Sequence, residues 1–355
     1  FCLSCTPILC LRKISPSTYL KSSKKGTPMS NYLVTGAFGF IGSHFVNKML
    51  KENHKVIGID SMSTESDFSL KQERLHFLNN AVKYLDNSNK NPRDFMFMGL
   101  DLSETSSIDK LGELNEKLKV DAVIHLAGSA GVRRSNEEPG KYIRNNVMST
   151  VNCLEFCRKF SVPKFVLAST SSIYSGAKMI PFMEHDKIGN MLSVYAESKK
   201  MAEEVGSVYH RFHGIDVSIL RFFTVYGEKG RPDMSVSKFI DCISNNKELV
   251  MYGDGSQSRD YTHVQDICEG IQKSLISVGC EIFNLGRDEP VSVKEIIEKL
   301  ENIIGKKASI RSEPRHSSDI DCTNADISKA KRILDWTPKI SIDAGLKRVW
   351  EYHER

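Results

Sequence analysis

The sequence predicts an α/β fold: a doubly wound parallel sheet followed by a smaller C-terminal α/β lobe. Three observations predict it. After residue 30, short β-branched runs near 31–35, 55–60, 94–99, 121–127, 163–169 and 216–222 alternate with segments long enough to be crossover helices. A glycine-rich turn follows the first run and opens a helix. Around residue 223 the rhythm breaks into loops carrying Tyr226, Gly227, Gly230, Arg231 and Pro232, and the elements beyond are shorter and mixed. The expected division is a tail over 1–28, the sheet domain over 29–222 and mainly a second lobe over 223–355, with 259–284 able to return to the main sheet.

The tail accounts for the charge. Residues 1–28 hold five basic residues, Arg12, Lys13, Lys21, Lys24 and Lys25, and no acid, so the remaining 44 basic residues face 44 acidic ones. The net charge of +5 belongs to the tail, and no nucleic-acid surface is expected on the body. The tail is read as sequence outside the fold, preceding Met29, with an organellar transit segment as the second reading. A cytoplasmic location is expected. No apolar run approaches the roughly 18 residues that span a bilayer, so no membrane partner is expected. The nine cysteines show no pairing logic and read as reduced thiols. Cys153 and Cys157 are one helical turn apart, and Cys2 and Cys5 form a lone CxxC, so no metal site is expected.

The first run, Tyr32–Thr35, leads into Gly36-Ala37-Phe38-Gly39-Phe40-Ile41-Gly42. Glycines at that spacing allow a tight turn and close approach of backbone to a pyrophosphate, which the helix N-terminus then receives. Asp60 closes the second strand, where a carboxylate accepts both hydroxyls of a ribose and repels a 2′-phosphate. No Lys or Arg follows until Lys71, so Asp60 is expected to stand without a cation and to select NAD over NADP. Asp101 and Leu102 follow the third strand, where a polar cap could meet the adenine. Leu126, Ala127 and Gly128 end the fourth, with small residues among them where a cofactor must pass. His125 beside them reads as a packed histidine.

The fifth strand runs into Ser169-Thr170-Ser171-Ser172, and the next helix carries Tyr195 and Lys199, four residues apart on one face. A free tyrosine, with a pKa of about 10, is a poor base at neutral pH. A nearby ammonium, with the positive nicotinamide of NAD⁺, favours the phenolate. That makes a base able to take a sugar hydroxyl proton, with a hydroxyl of Thr170–Ser172 bonded to the same oxygen.

The glycine turn, Ser169–Ser172, Tyr195 with Lys199, and Arg259-Asp260-Tyr261-Thr262-His263-Val264 together resemble the extended short-chain dehydrogenase/reductases that bind UDP-sugars, over residues 31 to about 350. The resemblance implies a Rossmann domain with a sugar-nucleotide lobe. It implies Tyr195 as the base, Lys199 holding the nicotinamide ribose and Arg259 at the nucleotide phosphates. It also implies a homodimer in which the helices near 139–161 and 193–213 pair across a two-fold axis.

Members that must move a proton at C5 carry a carboxylate just after the Thr170 position; here Ser171 and Ser172 stand there. The pattern fits 4-epimerisation, in which hydride leaves sugar C4, the 4-keto sugar turns, and hydride returns to the other face. Arg221-Phe222-Phe223-Thr224-Val225-Tyr226-Gly227, Gly230-Arg231-Pro232-Asp233-Met234 and Ala130-Gly131-Val132-Arg133 resemble UDP-glucuronate 4-epimerases. Arg231 is the expected reader of the sugar carboxylate, with Thr224 as a second donor and Arg133 as the alternative. Gly128-Ser129 and Ser318-Asp319 depart from that group's usual Ala-Gln and Gly-Asp. A UDP-glucose/galactose 4-epimerase and a catalytically silent NAD-binding regulator are the alternatives carried.

Overall fold

The computed structural model describes residues 29–62, 68–86, 95–177, 179–315 and 320–354. The tail, its CxxC and Ser318-Asp319 lie outside the described residues.

The strands are β1 (Asn31–Thr35), β2 (Lys55–Asp60), β3 (Phe95–Gly99), β4 (Ala122–His125), β5 (Lys164–Thr170), β6 (Asp216–Phe222), β7 (Thr224–Tyr226), β8 (Glu248–Tyr252), β9 (Ser258–His263), β10 (Cys280–Leu285), β11 (Pro290–Ser292) and β12 (Ser309–Glu313). The helices are α1 (Phe40–Lys51), α2 (Phe68–Asp86), α3 (Ser107–Lys117), α4 (Val132–Glu137), α5 (Pro139–Tyr142), α6 (Ser149–Phe160), α7 (Val194–His213), α8 (Ser235–Ser244), α9 (Val264–Lys273), α10 (Val293–Ile304), α11 (Ser328–Leu334) and α12 (Ile342–His353).

The main sheet is parallel and ordered β10-β6-β5-β4-β1-β2-β3. Side chains alternate across it, as the period of a strand requires. In β1, Tyr32 and Val34 join one core, with Phe45 of α1 and Ile267 of α9. Leu33 joins the other, with Leu111 of α3, Leu154 of α6 and Ala202 of α7. Both faces are covered, so the inner strands read as continuous apolar runs. The chain order reverses between β1 and β4, and in open α/β sheets ligands bind at the carboxyl ends beside such a reversal.

A smaller sheet, β11-β9-β7, and the parallel pair β12-β8 lie beyond, with a third core of Phe239, Ile240, Ile296, Leu300 and Leu346. The stretch 259–284 divides between the sheets. β9 pairs with β7 and β11, whereas β10 adds to the main sheet beside β6. The segment expected as one helix near 139–161 is α5, a π-helical turn over Ile143–Met148, and α6. π-turns within helices recur at functional sites, and this one holds the buried Asn146. No helix among the described residues is long and apolar enough to cross a membrane.

Candidate functional site

The glycine turn is built by steric exclusion. Gly36 has φ +66°, and a Cβ there would lie 2.8 Å from the Ala127 nitrogen in the segment after β4. A Cβ on Gly42 would fall 2.0 Å from the Gly36 carbonyl oxygen, which already accepts from Gly39 N–H at 2.8 Å. Gly39 is the N-cap of α1, and Phe40 and Ile41 are its first residues. The result is a cradle that side chains would fill, at a helix N-terminus that favours phosphate. These residues fit a dinucleotide.

Asp60 is buried. Its Oδ2 accepts from Phe38 N–H at 3.1 Å, and its Oδ1 accepts from Met62 N–H at 3.1 Å and Lys71 Nζ at 2.7 Å. The expectation of a carboxylate without a cation is therefore corrected. Lys71 stands on α2, and the fold returns that helix over the end of β2, so a lysine eleven residues on becomes a salt-bridge partner. The charge-repulsion argument against a 2′-phosphate loses force. Asp101 is exposed and commits Oδ1 to Ser103 N–H at 2.9 Å and Ser103 Oγ at 2.8 Å. Leu102 is buried, and its carbonyl accepts from Asn152 at 2.8 Å.

Gly128, with φ +155°, sits where a Cβ would lie 2.7 Å from Asn146 Oδ1 and 3.2 Å from Lys199 Nζ. Asn146 accepts from Ser129 N–H and donates to Ser198 Oγ, pinning the segment after β4 to α7. His125 is buried and uncharged; burial drives its pKa down to about 3. Ala127 N–H donates to Thr35 Oγ1 at 3.1 Å, and Thr35 Oγ1 lies 2.8 Å from His125 Nδ1. The packed reading of this histidine matches its surroundings.

Thr170 ends β5, and Ser171–Gly176 turn as a 3-10 helix capped by the Thr170 side chain. Ser193 caps α7, Gly214 ends it in a left-handed conformation, and Tyr195 and Lys199 lie in its first turns. Lys199 is buried and its Nζ donates to the Ala168 carbonyl at 3.1 Å. Burial pulls its pKa down to about 8, against the pull of the Glu203 carboxylate. Burial pushes the Tyr195 phenol above its usual range, while the hydrogen bond with Thr170 and the Arg231 charge pull it down. The pull expected of Lys199 is supplied here by Thr170 and Arg231. Without a cofactor, burial wins and the phenol is protonated at neutral pH.

Arg231 thus faces Tyr195 electrostatically, and Tyr142 as well. Its Nε meets Asp233 Oδ1 at 2.9 Å, and its Nη2 meets Asp233 Oδ2. Thr224 lines one pocket with Phe40, Gly227, Gly230, Met234 and Tyr261, joining the glycine turn to the second lobe. Arg259 turns Nη1 to the Ser258 carbonyl at 2.8 Å. Arg133 is exposed and stacks over the Tyr252 ring at 4.6 Å, committed to β8.

Sequence reasoning misread Lys71 and missed Asn146 and Glu203. The partners of Lys71 and Asn146 come from other elements, so nothing in the sequence pairs them. Glu203 left a signal: Tyr195, Lys199 and Glu203 are spaced four apart on one helix face. Glu203 accepts from Ser169 Oγ at 2.6 Å and pairs with Arg221 through two bonds, 2.9 and 2.7 Å. Both charges are buried, Arg221 at 1% exposure and Glu203 at 2%. Breaking such a pair leaves an uncompensated buried charge, at a cost of about 3–5 kcal/mol. Arg221→Met should lose that much in urea unfolding; a loss below about 1 kcal/mol would contradict the burial argument.

Comparison with known proteins matches residues 32–286 to the model of the NAD dependent epimerase/dehydratase family. A UDP-glucuronate 4-epimerase of Thermodesulfobacterium geofontis is 44% identical over 322 residues, 90% of this chain and 95% of that one. The crystal structure of UDP-glucuronic acid 4-epimerase from Bacillus cereus, in complex with UDP-glucuronic acid and NAD, is similar with TM-score 0.80 and 33% identity, covering 91% of this chain and 99% of that one. UDP-glucose 4-epimerase of Thermotoga maritima with UDP-glucose is similar with TM-score 0.80 and 28% identity, covering 91% and 98%.

Proposed function

The chain belongs to the NAD dependent epimerase/dehydratase family, and from that premise we propose that it interconverts UDP-glucuronate and UDP-galacturonate. It is an NAD-dependent UDP-sugar 4-epimerase; the uronate is the finer reading. The observation that carries that reading is a cation, Arg231, whose charge acts on the Tyr195 phenol, together with Ser171 and Ser172 where a C5 acid would stand.

In this reading Tyr195 takes the proton of the C4 hydroxyl and later returns it. Thr170, whose Oγ1 donates to Ser172 Oγ at 3.1 Å, lowers the pKa of the same phenol and is the hydroxyl assigned to it. Lys199, held by the Ala168 carbonyl, keeps a positive charge on that helix face and holds the nicotinamide ribose. Gly36, Gly39, Phe40, Ile41 and Gly42 receive the pyrophosphate. Asp60, Asp101 and Leu102 border the adenosine side, and Leu126, Ala127 and Gly128 leave room for the cofactor. NAD, when bound, accepts the C4 hydride and gives it back, which keeps the cycle redox-neutral. Arg259 is assigned to the UDP phosphates, Thr224 and Arg231 to the sugar. Arg133, the alternative carboxylate reader, is placed second because its guanidinium is already over Tyr252.

A neutral UDP-hexose is the second reading. Asp233 already neutralises Arg231, so a sugar without a carboxylate leaves no unpaired charge. A coupled assay on UDP-glucuronate and UDP-glucose separates the two. Faster turnover of UDP-glucose would sink the uronate reading and leave the epimerase.

The protein should also be a homodimer. Met148 at the entry to α6, and Met201, Val208 and Phe212 on α7, expose large apolar side chains, Phe212 at 76%. Scattered apolar residues are ordinary, but a set on two packed helices marks an interaction face. Light scattering should return twice the 40.0 kDa chain mass; a monomer at micromolar concentration would overturn the assignment.

A further inference from the structure

Arg74 of α2 is a buried cation, 4% exposed, to which the chemistry proposed gives no task, and it reaches two backbone carbonyls on different parts of the site. Its Nη1 donates to the Phe38 carbonyl at 3.2 Å and its Nη2 to the Lys229 carbonyl at 2.7 Å. Phe38 lies inside the glycine turn, with its N–H on Asp60. Lys229 lies two residues before Arg231, with a left-handed φ of +57°.

The same helix grips Lys229 from its other end. Glu73 accepts from Lys229 Nζ at 2.7 Å, and Tyr352 of α12 bonds the same ammonium at 2.9 Å and lies under it as a ring, 4.6 Å from the centroid. Consecutive residues of α2 thus hold the carbonyl and the ammonium of one loop residue. A guanidinium is costly to bury, and its rigid planar fork serves two acceptors at once where a lysine ammonium is a single point.

We propose that Arg74 is a positioning residue that ties the glycine turn to the Arg231 loop, so that cofactor retention and sugar binding reinforce each other. It rests on the reading of the glycine turn as the NAD site and of Arg231 as facing the sugar. Coupling between two sites is reciprocal, so it can be read from the cofactor side.

The test uses NAD-loaded protein carrying Tyr195→Phe, which holds ligand without turnover. NAD affinity is measured at equilibrium by filtration and absorbance, with and without saturating UDP-glucuronate or UDP-glucose. The bound sugar should tighten NAD binding about tenfold, within the usual range of coupling. Adding Arg74→Lys, which keeps the charge, should bring that ratio below about twofold. A residue needed only for its packing would shift the unfolding temperature and leave the ratio alone, and one needed only for its charge would shift neither. Glu73→Gln, on the surface end of the grip, should give an intermediate ratio and serves if Arg74→Lys does not fold. A parent protein without coupling overturns the proposal, as does a ratio unchanged by these substitutions. Coupling to UDP-glucose alone, lost on Arg74→Lys, supports the tie while removing the uronate assignment.

Discussion

Tyr195→Phe should abolish turnover while the purified protein still carries NAD. The phenol oxygen is the proposed proton acceptor, and removing a general base costs about 10²-fold or more. The ring remains, so its edge-on packing with Tyr142, 6.1 Å between centroids, is kept. The proposed pyrophosphate cradle is the turn of Gly36, Gly39 and Gly42, whose geometry does not depend on the phenol. Lys199→Met should differ, losing activity and cofactor together, because that ammonium is the buried charge beside Gly128. The check is a coupled epimerase assay with the nucleotide content of each protein read by absorbance. If Tyr195→Phe keeps more than about a tenth of the rate, the base lies elsewhere.

How much of this was legible in the sequence depended on whether a partner was local. The glycine turn was legible because its constraint lies in seven consecutive residues: the Gly36 carbonyl excludes side chains at Gly39 and Gly42. Tyr195 and Lys199 were legible because one helix sets their spacing. The parallel sheet followed from apolar runs that alternate with helices, a pattern that burial on both faces imposes. Lys71 was misread for the opposite reason. Its distance from Asp60 along the chain says nothing of how α2 folds back, and only the structure puts the ammonium at 2.7 Å. Asn146 escaped because a π-turn shifts its helix register, and Arg74 because both its acceptors are backbone carbonyls, which have no residue identity to read. The 259–284 stretch stayed open because the partners of β9 and β10, namely β7 and β6, are set by tertiary pairing.

Arg231→Ala should cost about ten- to a hundredfold in kcat/KM on UDP-glucuronate and much less on UDP-glucose. A uronate differs from a hexose by one negative charge at C6, and a hydrogen bond to a charged group contributes about 1.5–3 kcal/mol. Asp233 holds the guanidinium along its Nε and Nη2 side. That leaves the end carrying Nη1 to meet a second carboxylate, since the fork has five donors. The carboxylate must also be held for a mechanistic reason. Oxidation at C4 makes the sugar a β-keto acid, which loses CO₂ when its C5–C6 bond stands perpendicular to the carbonyl plane. Fixing the carboxylate away from that alignment, with no acid at Ser171 or Ser172, protects the intermediate. Arg231→Ala should therefore leak a decarboxylated pentose product. It should also move the acid limb of the rate profile to higher pH, because the Arg231 charge lowers the Tyr195 phenol and its loss lets the phenol rise. Kinetics on both sugars, product chromatography and a pH series check the three effects. If the variant treats the two sugars as the parent does, the carboxylate is read by another residue, with Arg133 the next to test.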